Sequence, residues 1–249
     1  MPLNKVNIGR YFHWHPWIGC HKISPACQNC FVKLQNDFKW LGNPVPSIAT
    51  FGNIIITCLS SDFFLEEADS YRNEIWQTIK NNPEYIFLII TKRVERIKEQ
   101  LPSDWNDGYD NVIIEVTVET QELVNYRLNI FRNIPCKHKW LSCCPLIEPL
   151  DLTSFLGEGW IECIETCGET GEMDKVRPTY YKWVEDLSNQ CKKYQVRFML
   201  MKIGYNFIHK GERHSERSAC YFSSYADALG LDVAIPISFK LNNKTYILK

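Results

Sequence analysis

Tyr85-Ile86-Phe87-Leu88-Ile89-Ile90-Thr91-Lys92-Arg93 is an apolar, β-branched run that stops abruptly in three polar side chains. A short run of this composition, without polar alternation, reads as a strand buried on both faces. Asn53-Ile54-Ile55-Ile56-Thr57-Cys58 precedes it, and Val112-Ile113-Ile114-Glu115-Val116-Thr117 follows. Lys139-Trp140-Leu141-Ser142, Trp160-Ile161-Glu162-Cys163-Ile164 and Val196-Arg197-Phe198-Met199-Leu200-Met201 continue the series. Helical spacing between the runs predicts helices at about 70–81, 93–101, 120–132 and 178–194. Strands alternating with helices imply an α/β fold, a parallel sheet covered by helices. Six runs, with one more strand before Cys20, suit a full or partial (β/α) TIM-like barrel. A doubly wound open sheet is the rival.

Polar groups recur just past the apolar runs: Ser60-Ser61-Asp62, Thr91-Lys92-Arg93, Glu119, Ser142-Cys143-Cys144, Glu165 to Glu169, and Lys202. The carboxyl ends of parallel strands form the ligand-binding face of such folds. Any one of these groups can simply mark where a strand meets solvent; their recurrence favours a shared site. The barrel pattern is expected over residues 1–205. Residues 206–249 read as a C-terminal extension packed on the barrel. In it, Lys210 to Arg217 is expected as a charged, solvated loop. Ser238 to Leu248 reads as two strands around a two-residue turn.

The chain has 249 residues, 45% of them hydrophobic, and a net charge of -1. Charge balance thus advertises no nucleic-acid partner, although a local patch would suffice for one. No apolar run approaches the roughly 18 residues of a membrane span, and the first residues lack the apolar stretch of an export signal. Eleven cysteines without that signal point to a reducing cytoplasm rather than a disulfide framework. Cys58, Cys143 and Cys163 lie in apolar runs and read as packing residues.

Cys20, Cys27 and Cys30 are different. They form a C-x6-C-x2-C run in Gly19-Cys20-His21-Lys22-Ile23-Ser24-Pro25-Ala26-Cys27-Gln28-Asn29-Cys30. Three thiolates can hold a metal or cluster and leave one position open. If Cys27 opens a helix over Gln28 to Trp40, where Phe31, Leu34 and Phe38 recur at helical spacing, the last two thiols share a face. Iron–sulfur clusters are the usual partner of all-cysteine ligation. Zinc competes, with His13, His15 or His21 as a fourth ligand, and inert cysteines without metal are the third reading. A weaker signal is Glu165-Thr166-Cys167-Gly168-Glu169-Thr170-Gly171, where glycines allow close backbone approach and carboxylates can hold amino or hydroxyl groups. Lys92, Arg93, Arg127, Arg177 and Lys202 can bind a carboxylate or phosphate.

Trp14-His15-Pro16-Trp17-Ile18-Gly19-Cys20, followed by Lys22 to Phe31 with its two further cysteines, resembles the opening motif of a phage-associated three-Cys-motif family, a group considered radical S-adenosylmethionine (SAM)-like. Ser61-Asp62-Phe63, Phe87 to Arg93, Val116-Thr117-Val118-Glu119, Gly168-Glu169-Thr170-Gly171, Arg177-Pro178 and Val196-Arg197-Phe198 running into Lys202-Ile203-Gly204 are similar to its later blocks. The resemblance reaches about residue 205. It implies a radical-SAM-type barrel in which Cys20, Cys27 and Cys30 hold a [4Fe-4S] cluster. S-adenosylmethionine would bind the open iron and yield a 5'-deoxyadenosyl radical. A reductant such as flavodoxin or ferredoxin and a neighbouring partner protein are implied as well. With the strand-end groups, it makes Lys92, Glu119, Cys144 and Lys202 candidate catalytic residues. Ser61, Asp62, Gly168, Glu169 and Arg177 become candidate cofactor-binding residues.

The sequence departs from these patterns in four places. The commoner radical SAM spacing is C-x3-C-x2-C, and Asn29 stands where an aromatic often precedes the last cysteine. Cys144 replaces the usual Glu of a Ser-Val-Glu-Pro-Leu block, which makes it a neutral replacement, a hydrogen-atom donor or an extra ligand. His15 replaces a usual Asn. The substrate is left open among a nucleotide, nucleic acid or peptide. The alternative to an enzyme is a zinc- or cluster-stapled binding module that recognises nucleic acid in a phage or its host.

Overall fold

The computed structural model describes residues 4–6, 11–30, 32, 37–42, 54–216 and 224–248. Its frame is a seven-stranded sheet in which all neighbouring pairs are parallel. The strands are β1 (Tyr11–Trp14), β2 (Ile54–Thr57), β3 (Ile86–Thr91), β4 (Val112–Thr117), β5 (His138–Cys143), β6 (Cys163–Cys167) and β7 (Arg197–Lys202). Their spatial order follows the chain without reversal, from β1 to β7. A doubly wound sheet reverses direction at a switch point, so that rival is excluded. The sheet also curls: the Tyr11 hydroxyl on β1 donates to Glu165 Oε1 on β6 at 3.2 Å, across four intervening strands. The architecture is a partial β/α barrel.

Helices α1 (Asp69–Asn81), α2 (Val94–Ile97), α3 (Gln121–Phe131), α4 (Thr153–Leu156) and α5 (Tyr181–Tyr194) lie in the connections between strands. Side chains alternate across a strand, and the sequence uses both faces. Ile55, Phe87, Ile89, Ile114, Val116 and Leu141 pack outward with Trp76, Leu128 and Val184 of the helices. Their in-strand neighbours Ile54, Ile56, Leu88, Ile113, Trp140 and Met199 point inward. That interior is filled by a C-terminal hairpin, β8 (Ile237–Leu241) and β9 (Lys244–Leu248), through Phe239, Leu241 and Leu248. Asn242 and Asn243 turn the hairpin with φ of 49° and 60°, the left-handed pair that a two-residue turn requires.

Several expectations are corrected. The helix expected at 93–101 is one α-turn, Val94–Ile97, tightening into a 3-10 turn at Lys98–Gln100; Pro102 disfavours helical backbone in the residue before it. The fifth internal strand starts at Cys163 rather than Trp160. Trp160 instead packs edge-on against Phe131, with ring centroids 5.7 Å apart. The expected 210–217 loop is partly a hairpin: Phe207–His209 pairs with Glu212–His214 around Lys210 and Gly211, both left-handed.

The helix expected over Gln28 to Trp40 does not open at Cys27. Pro25–Cys27 is a single 3-10 turn, and Lys39–Trp40 pairs as a strand with Trp17–Ile18. Trp40 is drawn there by stacking on Tyr71, with centroids 4.5 Å apart. Phe31 and Leu34 lie outside the described residues.

Candidate functional site

The carboxyl ends of β1 to β7 surround a cavity of about 440 Å³, within the roughly 300–1,000 Å³ usual for small-molecule sites. Cys20, Cys27 and Cys30 all line it. The chain reaches this rim by a turn at Gly19, whose φ is +95°. A Cβ there would stand 2.4 Å from the Asp37 carbonyl oxygen, so only glycine fits. Across the turn, the Gly19 N–H donates to the Ser60 carbonyl at 3.2 Å, and the Ser61 hydroxyl donates to the Gly19 carbonyl.

The loop that carries the triad is held from three sides. Asp62 anchors the first. Its Oδ1 accepts from the Phe64 N–H at 2.9 Å and the Thr91 hydroxyl at 2.7 Å; its Oδ2 accepts from the Lys92 N–H at 2.9 Å. Arg93 Nη1 stands 3.2 Å from Oδ2 and 3.6 Å from the Cys20 sulfur. Arg93 Nη2 donates to the His21 carbonyl at 3.4 Å. Asp62 therefore spends its oxygens on ordering the Phe64, Thr91–Arg93 and Cys20 region.

Glu169 anchors the second side. It accepts from Asn29 Nδ2 at 3.0 Å and from the Arg177 N–H at 2.7 Å, and it pairs with the Arg177 guanidinium. Arg177 Nη1 in turn donates to the Pro25 carbonyl at 3.1 Å. Asn29 thus positions the loop, tying the last cysteine's neighbour to the end of β6. Gly168 makes the tie possible, because a Cβ there would lie 2.0 Å from the Ile203 carbonyl oxygen. On the third side, Glu119 accepts from the Ser24 hydroxyl and, at 2.7 Å, from Arg127 Nη1 of α3. The Ser24 oxygen lies 3.5 Å from the Cys27 sulfur.

The sequence candidates divide accordingly. Lys92, Cys144 and Lys202 line the cavity with the triad, as do Ser61, Asp62, Gly168 and Glu169. Glu119 and Arg177 are not part of the lining; they brace the loop from behind. Glu119 is fully buried against Arg127 of α3.

Other residues of the site were not among the catalytic or cofactor-binding candidates. Ser24 and Asn29 hold the loop, and Arg93, expected as an anion binder, does the same. Glu165 and Cys167 line the cavity, and Glu115 is fully buried, with neither carboxyl oxygen meeting a hydrogen-bond donor. Burial, then the neighbouring Glu165, pushes the Glu115 carboxyl well above the usual carboxylate range. The signal for Glu115 was available: a charge inside an apolar strand is costly unless it serves a site. Glu165 and Cys167 are two apart on one strand and share its inner face.

The thiols of the triad are not equivalent. Burial raises the Cys20 pKa, and the Arg93 guanidinium opposes that rise without cancelling it. Burial acts the same way on Cys27, but the Lys92 ammonium, the Ser24 hydroxyl and backbone groups of Ile23 and Ser24 outweigh it and hold that thiol below its ordinary value. A lower pKa means more thiolate at a given pH. Peptide-resolved alkylation by iodoacetamide should therefore inflect at lower pH for Cys27 than for Cys20. The position of the inflection, not the absolute rate, is the readout, since Cys27 is the more buried of the two. Equal inflections would remove the assigned influence of Lys92 and Ser24.

Among the described residues, no group of three His, Cys, Asp or Glu side chains converges closely enough to hold one metal ion. A single zinc ion needs such convergence.

Fold and site together define a partial β/α barrel with a three-cysteine loop over a cavity at the carboxyl ends of its strands. The family described as Protein of unknown function (DUF5131) matches residues 10–221, and the chain belongs to it. No curated protein and no solved structure matches the chain. Among the described residues, no helix is long and apolar enough to cross a membrane.

Proposed function

We propose that this protein is an iron–sulfur enzyme of the radical SAM type, working in a reducing cytoplasm on a substrate held in the barrel cavity. The observation that carries the reading is the meeting of all three motif cysteines on one cavity at the carboxyl ends of parallel strands. The donor set suits the group. Cys20, Cys27 and Cys30 would hold a [4Fe-4S] cluster, one iron each, with the fourth iron open. Arg93 beside Cys20 and Lys92 near Cys27 supply positive charge where thiolates and cluster accumulate negative charge. With S-adenosylmethionine bound there, the chemistry supplied is reductive cleavage to a 5'-deoxyadenosyl radical that abstracts a hydrogen atom.

The chain's own contribution is positioning. Asp62 with Arg93, Glu169 with Arg177 and Asn29, and Glu119 with Ser24 fix the loop from three sides. The apolar interior behind Ile90 and Met201 excludes water from a reactive centre. Lys92 and Lys202 face the same space and can hold an anionic group of cofactor or substrate. A redox partner such as flavodoxin or ferredoxin, and a partner protein, belong to the same reading.

Anaerobic reconstitution with iron and sulfide should give a brown protein whose spectrum changes when S-adenosylmethionine is added. The Cys20/27/30→Ala variant should lose the cluster and all cleavage of S-adenosylmethionine. Cleavage that persists in that variant would sink the assignment. Stoichiometric zinc in colourless, anaerobically purified protein would favour a metal-stapled binding module instead.

A further inference from the structure

Cys144 and Cys167 stand side by side in the cavity wall, and neither the triad nor the bracing network uses them. In the register of β5 and β6, Ser142 faces Glu165 and Cys143 faces Thr166. One step further, Cys144 comes opposite Cys167. Adjacent strands lie about 4.7–4.9 Å apart, inside the Cα separation of roughly 4.4–6.8 Å that a disulfide spans. Alternation puts Cys144 on the same face as Ser142, and Cys167 on the same face as Glu165; all four line the cavity.

Past the last ladder pair, the Leu146 N–H donates to the Cys167 carbonyl at 2.8 Å and keeps the strand ends together. Both thiols line the same cavity wall, and both are half-buried rather than sealed in the core. By contrast, the third cysteine on the interior face of these strands, Cys163, sits opposite Trp140.

We propose that Cys144 and Cys167 form a redox-active dithiol facing the cavity, which closes reversibly to a disulfide by exchange with a low-molecular-weight disulfide such as oxidised glutathione. Either thiol can open the exchange; written from Cys167, the first step begins when that thiol loses its proton. Its thiolate attacks one glutathione sulfur and expels a glutathione thiolate, leaving a mixed disulfide on Cys167. Cys144 then loses its proton, attacks the Cys167 sulfur and expels the second glutathione thiolate. Two electrons pass from the dithiol to oxidised glutathione, and the two thiol protons end on the two reduced glutathiones. Run in reverse, the site is recharged by a small thiol. As a dithiol it can deliver two electrons and two protons to a ligand in the cavity, and this holds whether or not the triad carries a cluster.

The test is peptide mapping of the full-length protein after equilibration with mixtures of reduced and oxidised glutathione, with remaining thiols capped by iodoacetamide. A Cys144–Cys167 cystine should appear as oxidised glutathione rises, with loss of two hydrogens from the joined peptides, and dithiothreitol should reverse it. Cys144→Ser should stop at glutathione attached to Cys167. Since that variant can misfold, Cys167→Ser serves as a second and should also lose the cystine. Folded wild-type protein that keeps both thiols free at every glutathione ratio would overturn the proposal, as would Cys144 joined to another cysteine. The Cys20/27/30→Ala protein separates this site from the cluster: it should form the same cystine. A failed cystine leaves the cluster assay untouched, and a failed cluster leaves the cystine.

Discussion

Asp62→Ala should destabilise the protein by about 3–5 kcal/mol, the usual cost of breaking a buried ion pair from one side. The Asp62 and Arg93 side chains are only 6% and 5% exposed, so water cannot replace the lost partner. The substitution leaves the Arg93 guanidinium with Cys20, the His21 carbonyl and the more exposed Glu66 carboxylate. It also strips acceptors from the Phe64 N–H, the Thr91 hydroxyl and the Lys92 N–H. Denaturant unfolding with unchanged slope is the measurement. Asp62→Asn should cost less, because an amide oxygen can still accept from Thr91 and Phe64. Equal loss in both variants would show that the charge on Asp62, not its geometry, is what the structure needs. A loss below about 1 kcal/mol in the alanine variant, the range of exposed pairs, would show that Asp62 does not organise this rim.

Phe239→Ala should cost about 3–5 kcal/mol as well, for a different reason. Phe239 is fully buried in the barrel interior, with its ring centroid 4.4 Å from that of His138. No helix covers that inner face among the described residues; the C-terminal hairpin does. Removing the ring leaves a void among Ile54, Leu88, Ile113, Trp140 and Met199, whose strands are too constrained by their ladders to collapse into it. A midpoint shift in chemical denaturation reads the effect. A change under about 1 kcal/mol would mean that the hairpin's ring contributes little to the interior. The cysteine triad at the carboxyl end should respond much less, because Cys20, Cys27 and Cys30 are not among the residues packed in or against that interior cluster.

Residue patterns made the frame legible. Val112–Thr117 is a strand with the bounds its composition suggests, and every residue of it is buried, Glu115 included. Helix limits were legible at α1 and α3 as well. Thr120 caps α3, its hydroxyl accepting from the Leu123 N–H at 3.3 Å, a local interaction that needs no tertiary partner. The helix expected after Cys27 does not open there, and at its other end Phe38 and Trp40 are captured by stacking on Tyr71. Trp40 found Tyr71 and Trp17.

The candidate site divides along the same line. Cysteine spacing, strand-end polarity and the alternation of β and α segments are properties of the chain read in order. They determined the parallel sheet and pointed to its carboxyl end, where the three cysteines line the cavity. Tertiary structure alone decided which polar groups face inward and which brace from behind. Glu119 and Glu165 look alike at the ends of their strands, yet one turns toward Arg127 and the other lines the cavity. It alone brought Cys144 beside Cys167 and put Glu115 in a place without a donor. The physical reason is range. Propensity and burial pattern act over a few residues, whereas register, sheet curl and the pairing of buried charges are settled only when strands distant in the chain meet.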